Sequence, residues 1–368
     1  MTASLTSPVS IARPNAGARR LLRARARAPA RAANAARVAV VRAATYTEVF
    51  DANSGQMVKT LSQAVETVST PGLEWRYRVG VPEDGVEVKP NKVLLVHGAG
   101  MCAYTYQKLM RELQKIGYEC VAPDLPGHGG TSKPSPSAFK YDSKAYADAL
   151  EAFIAETDVV INGPCDLVVS GFYTSQHALL LAAKTPELFR RVVVLNAPLG
   201  NGHKLPDPLA VYSRPFGMGK GAAADIYKLA YFGNEFAIGA DAMEEYEFAV
   251  AGPEKDAARD AFEATATAVD FKKLMEDVRA AHMKPGTPKI RVVWGVGDKY
   301  LNDAPMFKWA EDVRASFDCM RKVGHMPHED FAEETARFVD AFLASDMKVS
   351  ALGSVRLGKI SKDDDYDR

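Results

Sequence analysis

From Leu73 onward the chain alternates between two hydrophobic patterns. Short unbroken apolar runs, each four to eight residues long, are separated by stretches whose apolar residues recur every three or four positions. The runs are "KVLLVHG" (Lys92–Gly98), "YECVAPD" (Tyr118–Asp124), "CDLVVSG" (Cys165–Gly171), "RRVVVLNAP" (Arg190–Pro198), "KIRVVWG" (Lys289–Gly295) and "DCMRKV" (Asp318–Val323). Unbroken apolar runs of this length predict strands buried on both faces of a largely parallel sheet. An alternating segment, "LEWRYRVG" (Leu73–Gly80), predicts an antiparallel strand ahead of them.

The intervening pattern predicts helices over Thr105–Gly117, about Ser143–Glu156, Thr174–Lys184, about Ala304–Phe317 and Asp330–Ser345. In the first, Tyr106, Leu109, Met110 and Leu113 form one stripe, and Gly117 is the stop. Strands alternating with helices imply an α/β fold with helices on both faces of the sheet. Between Gly200 and Pro288 no buried-strand run occurs. Helical spacing instead marks Ala222–Phe232, Ala242–Gly252 and Ala257–Met283, so the segment reads as a helical subdomain inserted into the α/β core. The expected organisation is an N-terminal linker or extension at 44–72, core at 73–199, helical subdomain at 200–288, core again at 289–346, and a mobile charged tail at 347–368.

Charge changes the picture at the N-terminus. The 368-residue chain is formally neutral, yet residues 1–43 hold nine arginines and no Lys, Asp or Glu. An arginine-rich, acid-free segment has the composition of an organellar transit peptide. The tetrad Val41-Arg42-Ala43-Ala44 resembles a Val-x-Ala-Ala processing site of green-algal chloroplast precursors, so the chloroplast stroma is the expected location, with the mitochondrion as the alternative. Without those nine residues, 37 basic side chains face 46 acidic ones, a net charge near −9 that repels phosphate backbones and disfavours nucleic-acid binding. No stretch approaches the roughly 18 apolar residues of a membrane span. The four cysteines are dispersed, with no CxxC pair and no His at metal-ligand spacing, so neither a metal site nor a cofactor is expected. "GAGMCA" lacks the Lys-Ser/Thr of a phosphate loop. The oligomeric state is not readable.

Four motifs stand in order: "LLVHGAG", "DLPGHGGTS", "WGVGDKYL" and "VGHMPHEDFAEE". Together they resemble the α/β-hydrolase superfamily over about Leu73–Ser345, in its haloalkane dehalogenase and epoxide hydrolase branch, with similarity to plant and algal chloroplast members. The resemblance implies a helical cap after the sixth strand. It also implies His325 as catalytic base and Asp298 as the acid that orients it, with Asp303 and Glu329 as lesser competitors. The backbone N–H groups of Ala99 and Tyr173 are implied as an oxyanion hole. His97, Asp124, Gly127, Gly129 and Gly130 fit structural positions, and His328 and Cys102 read as packed loop and helix-start residues.

The family's nucleophile elbow has small residues two before and two after the nucleophile, because strand and helix nearly collide there. Counting back from "ALLLA" sets Gly-His-Ser-x-Gly-Gly against Ser170-Gly171-Phe172-Tyr173-Thr174-Ser175, which puts Phe172 in the nucleophile position. A phenyl ring has no lone pair with which to attack carbon. Ser170 and Ser175 are the alternative nucleophiles in shifted registers, although bulky residues would then flank the apex. Two functions follow. One is an enzyme on a small apolar or lipid-like substrate, using His325 and Asp298 without a protein nucleophile. The other is a non-catalytic protein that binds an apolar ligand in the same pocket.

Overall fold

The apolar runs form the strands of an eight-stranded sheet in the computed structural model, which describes residues 42–51, 55–210, 242, 244–246 and 253–345. Four of its strands are β4 (Leu73–Gly80), β5 (Val93–Val96), β6 (Cys120–Pro123) and β7 (Cys165–Ser170). The others are β3 (Ala64–Thr70), β8 (Phe189–Leu195), β9 (Lys289–Gly295) and β10 (Ser316–Met320). Their order is β10-β9-β8-β7-β5-β6-β4-β3. From β10 to β6 every pairing is parallel, and β4 and β3 join antiparallel at one edge. Consecutive side chains of β5 point to opposite faces, as the two-residue period requires. Val93 and Leu95 enter one core layer, Leu94 and Val96 the other.

Helices cover both faces. They are α1 (Gln107–Ile116), α2 (Ser143–Glu156), α3 (Thr174–Lys184), α4 (Lys255–Ala268), α5 (Phe271–His282), α6 (Asp303–Val313) and α7 (Ala332–Leu343). The α1 stripe of Leu109, Met110 and Leu113 is wholly buried with Val339 and Phe342 of α7. Each such side chain contributes about 1.5–3 kcal/mol by leaving water. Gly117 ends α1 at φ 104°, a left-handed conformation in which a Cβ would also meet the Glu87 carbonyl oxygen at 2.1 Å. Asp142 caps α2 by accepting from the Ala145 N–H at 2.7 Å. The helical run 257–283 is two helices, because Val269 is extended and Asp270 caps a new start on the Lys273 N–H.

Two sequence expectations change. Residues 44–72 are not a linker: Thr45–Asp51 (β1) and Gln56–Ser62 (β2) pair antiparallel over seven positions, and β3 joins the main sheet. Arg42, placed by its neighbours in a removable leader, is instead the start of the second compact unit of the chain. Its guanidinium is bound to carboxylates from three elements, with 11% of the side chain exposed. Among the described residues, everything between β8 and β9 apart from loops and one bridge is helical, and no helix is long and apolar enough to cross a membrane. The expected helix at 222–232, most of that at 242–252, most of the leader and the tail from 347 lie outside the described residues.

Candidate active site

The site gathers where five strands end at the same edge of the sheet. His97 and Gly98 follow β5, residues 171–173 follow β7, Asn196 follows β8, Asp298 follows β9 and His325 follows β10. In a parallel sheet this carboxyl edge, where the chain order reverses between β5, β6 and β7, is where loops converge on a ligand.

Sequence reasoning set His325 and Asp298 27 positions apart, and the fold brings them together. The imidazole Nδ1 lies 2.7 Å from Asp298 Oδ2. Asp298 is surrounded by donors. Its Oδ1 accepts from the backbone N–H groups of Tyr300 at 2.8 Å and Leu301 at 3.1 Å. Its Oδ2 also accepts from Asn196 Nδ2 at 2.9 Å. Burial alone would raise this carboxyl, but the histidine, Asn196 and the Tyr300 amide outweigh it and hold it below the ordinary carboxylate range. Asn196 is itself fixed by Gly295, whose N–H it accepts at 2.7 Å and whose carbonyl it reaches at 3.1 Å. Asn196 went unrecognised in the sequence. Its signal was an amide side chain directly after a buried strand, at φ 33°, a conformation asparagine tolerates.

The competitors are occupied elsewhere. Asp303 accepts from the Trp294 indole at 2.7 Å, and buried Glu329 pairs with Lys108 at 2.8 Å. His97 donates through Nδ1 to the Gly98 carbonyl and accepts the Leu125 N–H at Nε2, so it binds two loops together. Asp124 ties down the Ala103 and Gly130 amides. His328 contacts the Thr105 hydroxyl at 3.0 Å, and burial pushes the Cys102 thiol up.

The turn between β7 and α3 corrects the expected register. Its central residue is Tyr173, at φ 60° and ψ −75°, and the Thr174 N–H closes the turn on the Phe172 carbonyl at 2.8 Å. Gly171 and Ser175 therefore stand two before and two after the apex, a smaller pair than Ser170 and Thr174. The collision that demands small residues is visible. A Cβ on Gly98 would meet Phe172 N at 2.6 Å and Gly171 Cα at 2.7 Å. Gly98→Ala is thus expected to destabilise the protein by about 2–3 kcal/mol by overpacking. Urea unfolding measures this, and an unchanged midpoint would show that the two loops can separate.

Phe172 nevertheless faces the imidazole. Its ring stacks on His325 with centroids 5.4 Å apart and planes 26° from parallel. Phe271 of α5 and Tyr300 complete the aromatic surround, Phe271 packing edge-on against Tyr173. Ser170 hydrogen-bonds the Tyr106 hydroxyl at 2.9 Å, and Ser175 donates to the Gly171 carbonyl at 2.5 Å inside the first turn of α3.

The oxyanion hole also differs from expectation. With the apex at Tyr173, the amide that follows it belongs to Thr174. Both that N–H and the Ala99 N–H, the latter also at 2.8 Å, donate to the Phe172 carbonyl oxygen. The chain's own carbonyl thus takes both backbone donors.

Residues 93–338 match the alpha/beta hydrolase family. The chain belongs to it. Over 279 residues this family member is 27% identical to the cis-3-alkyl-4-alkyloxetan-2-one decarboxylase of Shewanella oneidensis, covering 68% of this chain and 81% of that one. A haloalkane dehalogenase of Psychrobacter cryohalolentis is 30% identical over 113 residues, 30% of this chain and 35% of the other. The fold is shared with the haloalkane dehalogenase DbeA of Bradyrhizobium elkani USDA94, at a TM-score of 0.60 and 19% identity, covering 77% of this chain and 98% of that structure.

Proposed function

We propose that this alpha/beta hydrolase is an enzyme in which His325, oriented by Asp298, acts as the base on a small apolar substrate without a covalent protein intermediate. The observation that carries this reading is the buried carboxylate whose four donors leave it one arrangement, with the imidazole Nδ1 proton directed at it. Nε2 then carries the lone pair. It takes a proton from water while the water oxygen bonds to the substrate's electrophilic carbon, and the imidazolium returns that proton to the leaving group. Phe172 stands against the imidazole and Tyr173 holds the apex, so no serine, cysteine or aspartate is presented there. Phe172, Tyr173, Phe271 and Tyr300 suit alkyl-bearing substrates. The oxetanone named for the Shewanella relative, a four-membered ring ester with two alkyl arms, is of that kind.

A second reading, ligand binding without turnover, is favoured by the Phe172 carbonyl, which holds both amides that would stabilise an oxyanion. The full chain and His325→Ala should be screened against alkyl esters, epoxides, haloalkanes and β-lactones, with intact mass recorded during turnover. The first reading expects turnover that His325→Ala abolishes, with no mass adduct. An acyl or alkyl adduct would overturn it. Binding of an apolar fluorophore with no turnover of any of these classes would favour the second. The arginine-rich, acid-free composition of residues 1–43 supports import into an organelle, the chloroplast before the mitochondrion.

A further inference from the structure

The charge cluster that begins at Arg42 bears on where the N-terminal segment can be removed. Arg42 grips Glu66 of β3 with two parallel bonds, Nε to Oε1 at 2.7 Å and Nη2 to Oε2 at 2.9 Å. Its Nη1 reaches Asp158, just beyond α2, at 2.8 Å and Glu119, just before β6, at 3.5 Å. Lys92, at the start of β5, shares two of these partners, reaching Glu119 at 2.6 Å and Asp158 at 2.9 Å. The Tyr77 hydroxyl donates to Glu66 at 2.7 Å. Three carboxylates and two cations from separate elements thus close on one another. Asp158 and Lys92 are nearly buried, with 7% and 6% of their side chains exposed.

Taking Arg42 away would leave the nearly buried Lys92 and Asp158 with Glu119 in excess, and Glu66, 30% exposed, without its cation. Removing one member of a buried charge set is far more costly than the intact set is stabilising, because the rest stay desolvated and uncompensated. A planar fork that meets a carboxylate at two points is also specific to arginine. The other leader arginines lie in residues 1–41, ahead of the unit that Arg42 opens.

We propose that Arg42 is retained in the processed protein. The cut that releases the basic segment falls at or before the Val41–Arg42 bond, and Arg42 then serves as the first anchored residue of the fold. This rests on the organellar-import reading, and it moves the expected boundary, which would have discarded Arg42.

Incubating the full-length chain with chloroplast stromal extract, followed by N-terminal sequencing and intact mass, tests the position. The expected product begins at Arg42 or upstream of it. A product beginning at Ala43, Ala44 or later overturns the proposal. A chain left uncut overturns the import reading and the proposal with it. The anchoring is tested separately in the full chain, where Arg42→Ala is expected to lower Tm by about 5–10 °C. Arg42→Lys, which keeps the charge but not the fork, should fall between. Melting of Arg42→Ala at the parent temperature would remove the reason for retention whatever the cut.

Discussion

Lowering the pH from 7 to 5 is expected to cost this protein on the order of 8 kcal/mol of folding stability through its buried histidines. Four histidines are responsible. Burial depresses His97 to about 4, and depresses His128, His177 and His328 to about 3. In the unfolded chain each titrates near 6.5. Below that value the unfolded state binds protons that the native state refuses, so stability is full above about pH 6.5 and declines towards the native values. Each histidine then loses about 2 kcal/mol between pH 7 and 5, and four together approach the whole stability of an ordinary domain. The contacts explain the refusal. Protonating His97 would set a donor against the Leu125 N–H, and His177, stacked on Tyr146 at 4.9 Å, has neither ring nitrogen hydrogen-bonded among the described residues. Urea midpoints at pH 7, 6 and 5 should fall steadily. Equal midpoints at pH 7 and 5 would refute this account of the buried rings.

Asp298→Asn is expected to lower turnover by about 10³–10⁴-fold while leaving substrate binding nearly unchanged. All four groups around this carboxylate are donors, so an amide NH₂ must face two of them whichever way it turns. Asn196 cannot rotate to help, because Gly295 engages both ends of its amide. The imidazole is left to accept at Nδ1, which moves its proton to Nε2 and removes the base. Nitrogen NMR of His325 should report the changed tautomer together with the fall in kcat. A variant that turned over normally with the proton at Nε2 would show that the histidine is not the base.

Most of the sheet and its helices could be read directly. Lys289–Gly295, Ser143–Glu156 and Thr174–Lys184 match their expected bounds, because unbroken β-branched runs and amphipathic stripes encode burial locally. His325 and Asp298 were singled out by the resemblance of "VGHMPHEDFAEE" and "WGVGDKYL" to family motifs, and the fold brings their side chains within 2.7 Å. The elbow register was missed by one residue. Counting back from an apolar helix passes over a stronger local signal, the Gly171–Ser175 pair, in which Gly171 answers a backbone contact with Gly98, 73 positions earlier. Asn196 and the Phe172 carbonyl had no sequence signal of comparable strength, since a hydrogen bond between distant loops leaves no period. The strands before Leu73 were hidden by the leader beside them, and Arg42 looked like one more leader arginine until its partners were placed.

Strands β8 and β9 lie side by side, Leu195 against Val293, although residues 196–288 run between them. The chain thus returns to the sheet beside the point where it left, and this pairing sets Asn196 next to Asp298, which it reaches at 2.9 Å. The wall that Phe271 of α5 adds against Tyr173 is therefore borne by a different stretch of chain from the one that holds His325 to Asp298.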